Sequence, residues 1–192
     1  MGTPAKTLAL KDLRRLEMRA GSGRHSIRNR TMVMLSFKAG LRACEIAGLE
    51  WHMVLTCDGK IADCLLIADG IAKNGRGRRV PMHCALRSAL AKLHATSQRP
   101  THGAVISSQK GGNMTPRGVA NWFKSTYAEL GLEGCSSHSG RRTFITLTAR
   151  LVSKVGGSLR DVQELAGHRA LTTTERYIEG DRDAQRKLVR ML

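Results

Sequence analysis

Leu10, Leu13 and Leu16 recur at three-residue spacing in "KTLALKDLRRLEMRAG", the rhythm of an amphipathic helix that Gly21 would stop. The next stretch, "IRNRTMVMLSFKAG", is apolar almost all round, which predicts a helix buried on every side and ended by Gly40. A short helix, "RACEIAGL", follows. From about residue 61 to 82 the pattern changes: "IADCLLIADGIAKNGRGRRVPM" holds strand-like runs broken at Asp69-Gly70 and at Asn74-Gly75, a dipeptide that favours a tight hairpin. Helical spacing returns in "CALRSALAKLHAT" and in "TPRGVANWFKSTYAELG", where Pro116 suits a first turn. It continues in "RRTFITLTARLV", where Phe144, Leu147 and Leu151 share a face. "SLRDVQELAGH", "TTTERYI" and "DAQRKLVRML" complete a mainly α chain with a small antiparallel β-sheet, an α+β class in one domain over 1–192.

Charge narrows the choice of partner. The 192 residues carry 32 Lys and Arg against 15 Asp and Glu, a formal charge of +17, which suits nucleic acid or an anionic membrane. No apolar run approaches the roughly 20 residues of a spanning helix, and "MGTPAKTLAL" lacks a signal peptide's long apolar region, so a membrane is not expected. Lys6 stands where a myristoylation motif wants Ser or Thr. The five cysteines, Cys44, Cys57, Cys64, Cys84 and Cys135, are odd in number and lack CxxC spacing. They read as reduced, mostly core thiols of an intracellular protein. His83-Cys84, side by side, is not ligand spacing. With neither a Walker loop nor GxGxxG, any phosphate chemistry is expected to run without a bound nucleotide, and neither cofactor nor metal is expected.

Four stretches place cations or a nucleophile suggestively. Arg42 opens the short helix, with Glu45 three residues on and on the same face. Lys73 precedes the Asn74-Gly75 turn and would project from the hairpin tip. In "HSGRRTFIT", His138 and Arg141 share a face at a helix mouth, where each cation is disfavoured by about 0.3 to 1 kcal/mol unless an anion faces it. In "LAGHRALTTTERYI", Gly167 ends a helix, His168 follows, and Thr172 with Glu175 predicts a capping box for another helix that would carry Tyr177. Singly, these are an exposed ion pair, a turn lysine, a basic turn and a core tyrosine. Together they hold the parts of a metal-free phosphoryl transfer to tyrosine. Two arginines can fork the oxygens of a phosphodiester as lysine cannot. A tyrosine supplies the attacking oxygen, and Lys73 or a histidine can give the proton a departing alkoxide needs.

"GLRACEIAGLEW", "AKNGRGRRVPM", "HSGRRTF" and "LAGHRALTTTERYI" resemble, in order and separation, the four signature regions of the tyrosine recombinases, the phage-integrase family. Tyr177 falls nine residues after His168, as in that pattern, and the resemblance spans roughly residues 7–179. It implies the family's catalytic-domain fold and a site-specific recombinase or integrase. Such an enzyme cleaves and rejoins DNA through a 3′-phosphotyrosine, without metal or ATP. Tyr177 would be the nucleophile, Arg42 and Arg141 the phosphate clamp, and Lys73 the general acid. His138 would handle the tyrosine's proton, His168 would donate to the phosphate, and Glu45 would orient Arg42. Arg76, Arg78, Arg79 and Arg142 are the implied DNA contacts. The implied partners are double-stranded DNA, a homo-tetramer formed on it and accessory DNA-bending proteins, in the cytoplasm.

The chain departs from the family pattern at Gly140, where many relatives carry Leu, and at Arg142, where many carry a second His. The separate front domain of typical members is expected to be absent. Residues 181–192, with Ala184, Leu188 and Leu192 at four-residue spacing, are expected to form a helix that docks on its own domain or on a neighbour. Two alternatives on the same scaffold are a type IB topoisomerase-like relaxing activity and a non-cleaving DNA-binding regulator. A purely structural basic protein would account for the charge but not for four ordered motifs.

Overall fold

The computed structural model describes residues 5–73, 75–178, 186, 189 and 190. The helices are α1 (Leu10–Ala20), α2 (Ser26–Lys38), α3 (Ala43–Gly48), α4 (Cys84–Thr96), α5 (Pro116–Glu129), α6 (Ser139–Leu151), α7 (Leu159–Ala166) and α8 (Leu171–Glu175). Between α3 and α4 lie the strands β1 (Cys64–Ile67) and β2 (Arg78–Pro81), and short 3₁₀ turns follow α3 and α6.

α2 is the axis of the molecule. Thr31, Met32, Val33, Met34, Leu35, Ser36 and Phe37 are buried in unbroken succession, because α1, α3, α4 and α6 all pack on it. A helix without a polar face requires such a surround. α1 turns Leu13, Leu16 and Ala20 inward but leaves Leu10 exposed. Trp51, Leu65, Ile67, Val80, Phe123 and Tyr127 complete the main core. A smaller cluster of Ile145, Val162 and Ala166, with Phe144 and Tyr177 packed against it, joins α6 to α7.

Two glycines set how closely α6 approaches α2. Gly40 has φ +64°, and a Cβ there would run into the Phe144 ring. The left-handed turn therefore ends α2 where α6 crosses it. At Gly140 a Cβ would strike the Ser36 hydroxyl and lie 2.9 Å from the Phe37 ring, so this departure from Leu reflects close helix packing. α6 directs Ser139, Gly140, Arg141, Thr143 and Ile145 inward. In consequence Leu147 and Leu151 are 49% and 52% exposed, and of the expected apolar stripe only Phe144 packs inward.

β1 and β2 pair antiparallel, with Leu65 opposite Val80 and Ile67 opposite Arg78. Their connection is not the expected two-residue turn at Asn74-Gly75 but a loop over 68–77. The Gly77 N–H donates to Asp69 Oδ1 at 2.6 Å and closes the base of that loop. Lys73 is exposed on it, and Asn74 lies outside the described residues. The cysteines are all free, but none is a core thiol: Cys57 and Cys84 are exposed and the other three half-buried. Among the described residues no helix is long and apolar enough to cross a membrane. The terminal helix expected around Ala184, Leu188 and Leu192 lies outside the described residues.

Gly40→Ala is expected to cost about 2 to 4 kcal/mol, from a left-handed backbone bearing a Cβ and from the displaced Phe144 ring. Urea denaturation checks this, and an unshifted midpoint would mean that neither constraint acts at residue 40.

Candidate active site

Glu45, on α3, is fully buried. Its Oε2 accepts the Arg42 backbone N–H at 2.9 Å, and its Oε1 accepts Arg42 Nη1 at 2.9 Å. From β2, Arg78 forks the same carboxylate, Nη1 to Oε1 at 2.8 Å and Nη2 to Oε2 at 3.0 Å. Arg78 Nε donates to the Leu165 carbonyl of α7 at 2.9 Å. Burial pushes the Glu45 carboxyl up, but the hydrogen bonds and charge of Arg78, then those of Arg42, outweigh it and hold the group below the usual carboxylate range.

Arg78 is therefore not the DNA-facing arginine expected from the sequence. Its side chain is 7% exposed and turned into the protein. Strand alternation was the available signal: Val80 faces the core, so Arg78, two residues earlier, shares its side of β2, whereas Arg79 is exposed. Arg76 is exposed as well.

Arg141 occupies the first turn of α6 and is 2% exposed. It donates Nη1 to the Gly40 carbonyl at 2.7 Å and Nη2 to the Ala166 carbonyl. Ala166 ends α7, where helix carbonyls lack intrahelical partners and the dipole is negative. A cation at the mouth of α6 loses about 0.3 to 1 kcal/mol, while a partly buried cation at a helix C-terminus gains up to about 2 kcal/mol, so the second effect wins. Burial, then the Arg42 charge, lowers the Arg141 pKa to about 10, with Glu45 and Tyr177 acting the other way and Arg78 adding to the fall. The guanidinium stays charged at neutral pH.

Lys73 and the histidines complete the ring of charge. His138, the N-cap residue of α6, has its pKa lowered by partial desolvation and by the charges of Lys73, Arg141 and Arg42. His168 is buried, with Nδ1 3.0 Å from Thr174 Oγ1, and its carbonyl accepts Gln163 Nε2 at 3.0 Å. Desolvation, then Arg141, Arg42 and Arg78, lowers its pKa to about 4 against the opposing pull of Glu45. A neutral imidazole at pH 7 follows. Sequence reasoning singled out neither Thr174, which meets the imidazole ring, nor Gln163, which holds the His168 carbonyl.

Tyr177 stacks on His168, with ring centroids 5.5 Å apart and planes at 25°. The Arg142 guanidinium carbon lies 5.6 Å from the Tyr177 ring centroid, within cation–π range. The tyrosine does not sit inside a helix as expected. α8 begins at Leu171 after an uncapped Ala170 and ends at Glu175, so the Thr172–Glu175 capping box does not form and Tyr177 lies in the turn beyond. Thr174 is instead drawn inward onto His168. The Tyr177 carbonyl accepts Thr146 Oγ1 at 3.2 Å.

The charges of Lys73, Arg141 and Arg42 act on His138, those of Arg42, Glu45 and Tyr177 on Arg141, and those of Arg141, Arg42 and Glu45 on His168, so residues from separate parts of the chain are linked through Arg141. A cleft of about 770 Å³ opens between β2 and α7, lined by Arg76, Arg79, Arg160, His168 and Arg169 among others, with the small exposed part of Arg78 contributing to its wall. Among the described residues no group of three or more His, Cys, Asp or Glu could hold a metal ion.

The family model described as the phage integrase family matches residues 6–183. Tyrosine recombinase XerC of Xylella fastidiosa (strain M23) is 31% identical over 156 residues, covering 81% of this chain and 49% of that protein. Tyrosine recombinase XerC of Methylobacterium nodulans is 32% identical over 172 residues, covering 86% of this chain and 50% of that protein. The chain therefore spans about half the length of the curated relatives it matches. Among solved structures, the fold is similar to that of XerA recombinase, with a TM-score of 0.76 and 18% identity over 100% of this chain and 66% of that one. It is also similar to that of XerH site-specific recombinase bound to its difH substrate before cleavage, with a TM-score of 0.71 and 22% identity over 98% of this chain and 54% of that one.

The His168 imidazole is expected to stay neutral down to about pH 4 when followed by NMR. Its folded pKa lies below the unfolded value of about 6.5, so its contribution to stability is complete above that value and is lost as pH falls from about 6.5 toward 4. A midpoint near the unfolded value would contradict the buried, cation-ringed environment.

Proposed function

The chain belongs to the phage integrase family, and from that membership we propose that it is the catalytic part of a site-specific recombinase that cuts and rejoins duplex DNA through a 3′-phosphotyrosine. One observation carries the reading. Two buried or nearly buried guanidiniums, Arg42 and Arg78, pair with one carboxylate, Glu45, and the buried Arg141, bonded to backbone carbonyls nearby, feels its charge, so three positive charges against one negative leave two in excess. Desolvated charge costs several kcal/mol per ion where it is not compensated, and a phosphodiester brings one negative charge to this excess.

In this mechanism Arg42 and Arg141 draw the two non-bridging oxygens of the scissile phosphate and stabilise the charge that grows on them. The Tyr177 oxygen attacks phosphorus as the bond to the 5′-oxygen breaks, leaving the 3′-phosphate esterified to the tyrosine. Lys73 gives its proton to the departing 5′-oxygen, and His138, whose pKa is lowered by partial desolvation and by the cations around it, takes the phenol's proton. His168 donates a hydrogen bond to a phosphate oxygen. The tyrosyl ester keeps the energy of the original diester, so the 5′-hydroxyl of another strand can attack it and restore DNA without metal or ATP.

Glu45 orients Arg42 in this scheme. The cationic cleft beside His168, with Arg76 and Arg79 on its rim, suits the flanking DNA backbone. Arg142 serves the same DNA face beside Tyr177. The working unit is a homo-tetramer on DNA in which residues 181–192 dock on a neighbouring copy. What supports that docking is the exposed apolar row Leu147, Leu151 and Val155 on and after α6.

A library of nicked suicide duplexes with randomised core sequence, from which covalently trapped members are recovered, tests the chemistry and reports the site together. Tyr177→Phe is expected to lose the covalent adduct while gel-shift affinity stays within about twofold. Arg42→Lys keeps the charge but is expected to slow cleavage about 100-fold or more, because an ammonium cannot fork two oxygens. An adduct surviving in Tyr177→Phe would remove Tyr177 from its role, and relaxation of plasmids lacking any trapped site would favour a topoisomerase.

A further inference from the structure

We infer that Arg78 is a positioning residue: its fork on Glu45 and its bond to the Leu165 carbonyl fix the Arg42 guanidinium relative to α7, and so set the phosphate clamp. This rests on the strand-cleavage reading above, but it assigns work to a side chain outside the set that touches DNA.

The geometry argues for it in three ways. Each Glu45 oxygen takes one donor from Arg42 and one from Arg78. Arg42 is only three residues away on the same short helix, so it cannot by itself tie the carboxylate to the rest of the site. Arg78 arrives from β2 with a planar fork and reaches α7 at the same time. Secondly, three of the five N–H donors of Arg78 are already used inside the protein and its side chain is 7% exposed, so little of the guanidinium is left to meet a phosphate. Thirdly, Gly167 leaves the space through which the arginine passes. A Cβ there would lie 3.0 Å from Arg78 Cδ and 3.1 Å from Nη1, and the residue has φ +62°. The glycine that ends α7 thus also admits the arginine that binds its last turn.

Removing Arg78 would change the chemistry of Glu45 in a measurable direction. The groups whose charge bears on Glu45 are Arg42 from α3, Arg78 from β2, Arg141 from α6 and His168 after α7. Without Arg78, burial has less to oppose it and the carboxyl protonates at higher pH. Arg42 would then lose its anchor in mildly acidic solution, where the unaltered site keeps it.

The test uses the 192-residue chain and the trapped duplexes recovered from the randomised library. Arg78→Met, Arg78→Lys and, as an exposed control on α1 away from the site, Arg14→Met are compared for affinity, for its dependence on salt, and for single-turnover cleavage from about pH 5 to 9. Both Arg78 variants are expected to bind within about threefold with an unchanged salt slope. They should cleave at least about 30-fold more slowly, with the acid limb of the pH–rate profile moved to higher pH. Arg14→Met should leave that limb in place. Arg78→Lys keeps a cation beside Glu45, and it carries the test alone if Arg78→Met does not fold. Cleavage by Arg78→Lys at the unaltered rate, or weaker binding with a salt slope reduced by about one, would overturn the assignment. If the unaltered chain itself trapped no duplex, the cleavage reading would fall first.

Discussion

The buried carboxylate of Glu45 is shared between two arginines, one from its own helix and one from β2. A carboxylate stripped of water costs several kcal/mol unless its lone pairs are filled, and four hydrogen bonds fill these. The obligation runs both ways. α3 cannot keep Glu45 buried without β2 beside it, and Arg78 cannot keep its charge buried without α3 and α7. Three elements far apart in sequence are held in one arrangement because no member of the group can leave alone without exposing another to an unpaired charge.

The C-terminus of α7 extends that constraint. Its last two carbonyls each accept an arginine, Leu165 from Arg78 and Ala166 from Arg141. Helix ends need partners for such carbonyls in any fold. Here the partners are the cations that α6 and β2 must bury, and one set of orphan groups satisfies another. The same contact brings His168, one residue beyond the Gly167 cap, beside three guanidiniums and depresses its basicity. The net charge of +17 is therefore not only a surface property, since part of its excess converges on an enclosed point.

Much of this was legible in the sequence, for identifiable reasons. Long runs, apolar all round in α2 and periodic in α4 and α5, satisfy one rule over many residues, so a single exception cannot move them. Gly40 and Gly167 stood at helix ends, where left-handed backbone is common, and they have it. Short features failed where two local rules competed. Asn74-Gly75 favours a tight turn, but the side chain of Asp69 captures Gly77 and widens the loop. Thr172 and Glu175 fit a capping box, but the burial of Thr174 against His168 sets the phase of α8 instead. Arg78 was misplaced because charge was weighed and strand alternation was not, although Val80 fixed the face.

The two halves of the site differ in how firmly they are held. Glu45 and the arginines around it stand on or at the start of α3, on β2 and on α6, elements that share the main core or pack on α2 within it. Tyr177 belongs to the smaller cluster and follows a helix of five residues, too short to persist without tertiary contacts. Its position depends on a stacked imidazole, one hydroxyl bond to its carbonyl and the guanidinium near its ring. Local stability follows the number of buried contacts, so the tyrosine segment can shift at a free-energy cost that would be prohibitive for the arginine cradle. In the proposed mechanism the tyrosine oxygen approaches phosphorus, bonds to it and is later displaced, which that freedom suits, whereas groups proposed to stabilise the phosphate gain most from being rigid before it arrives.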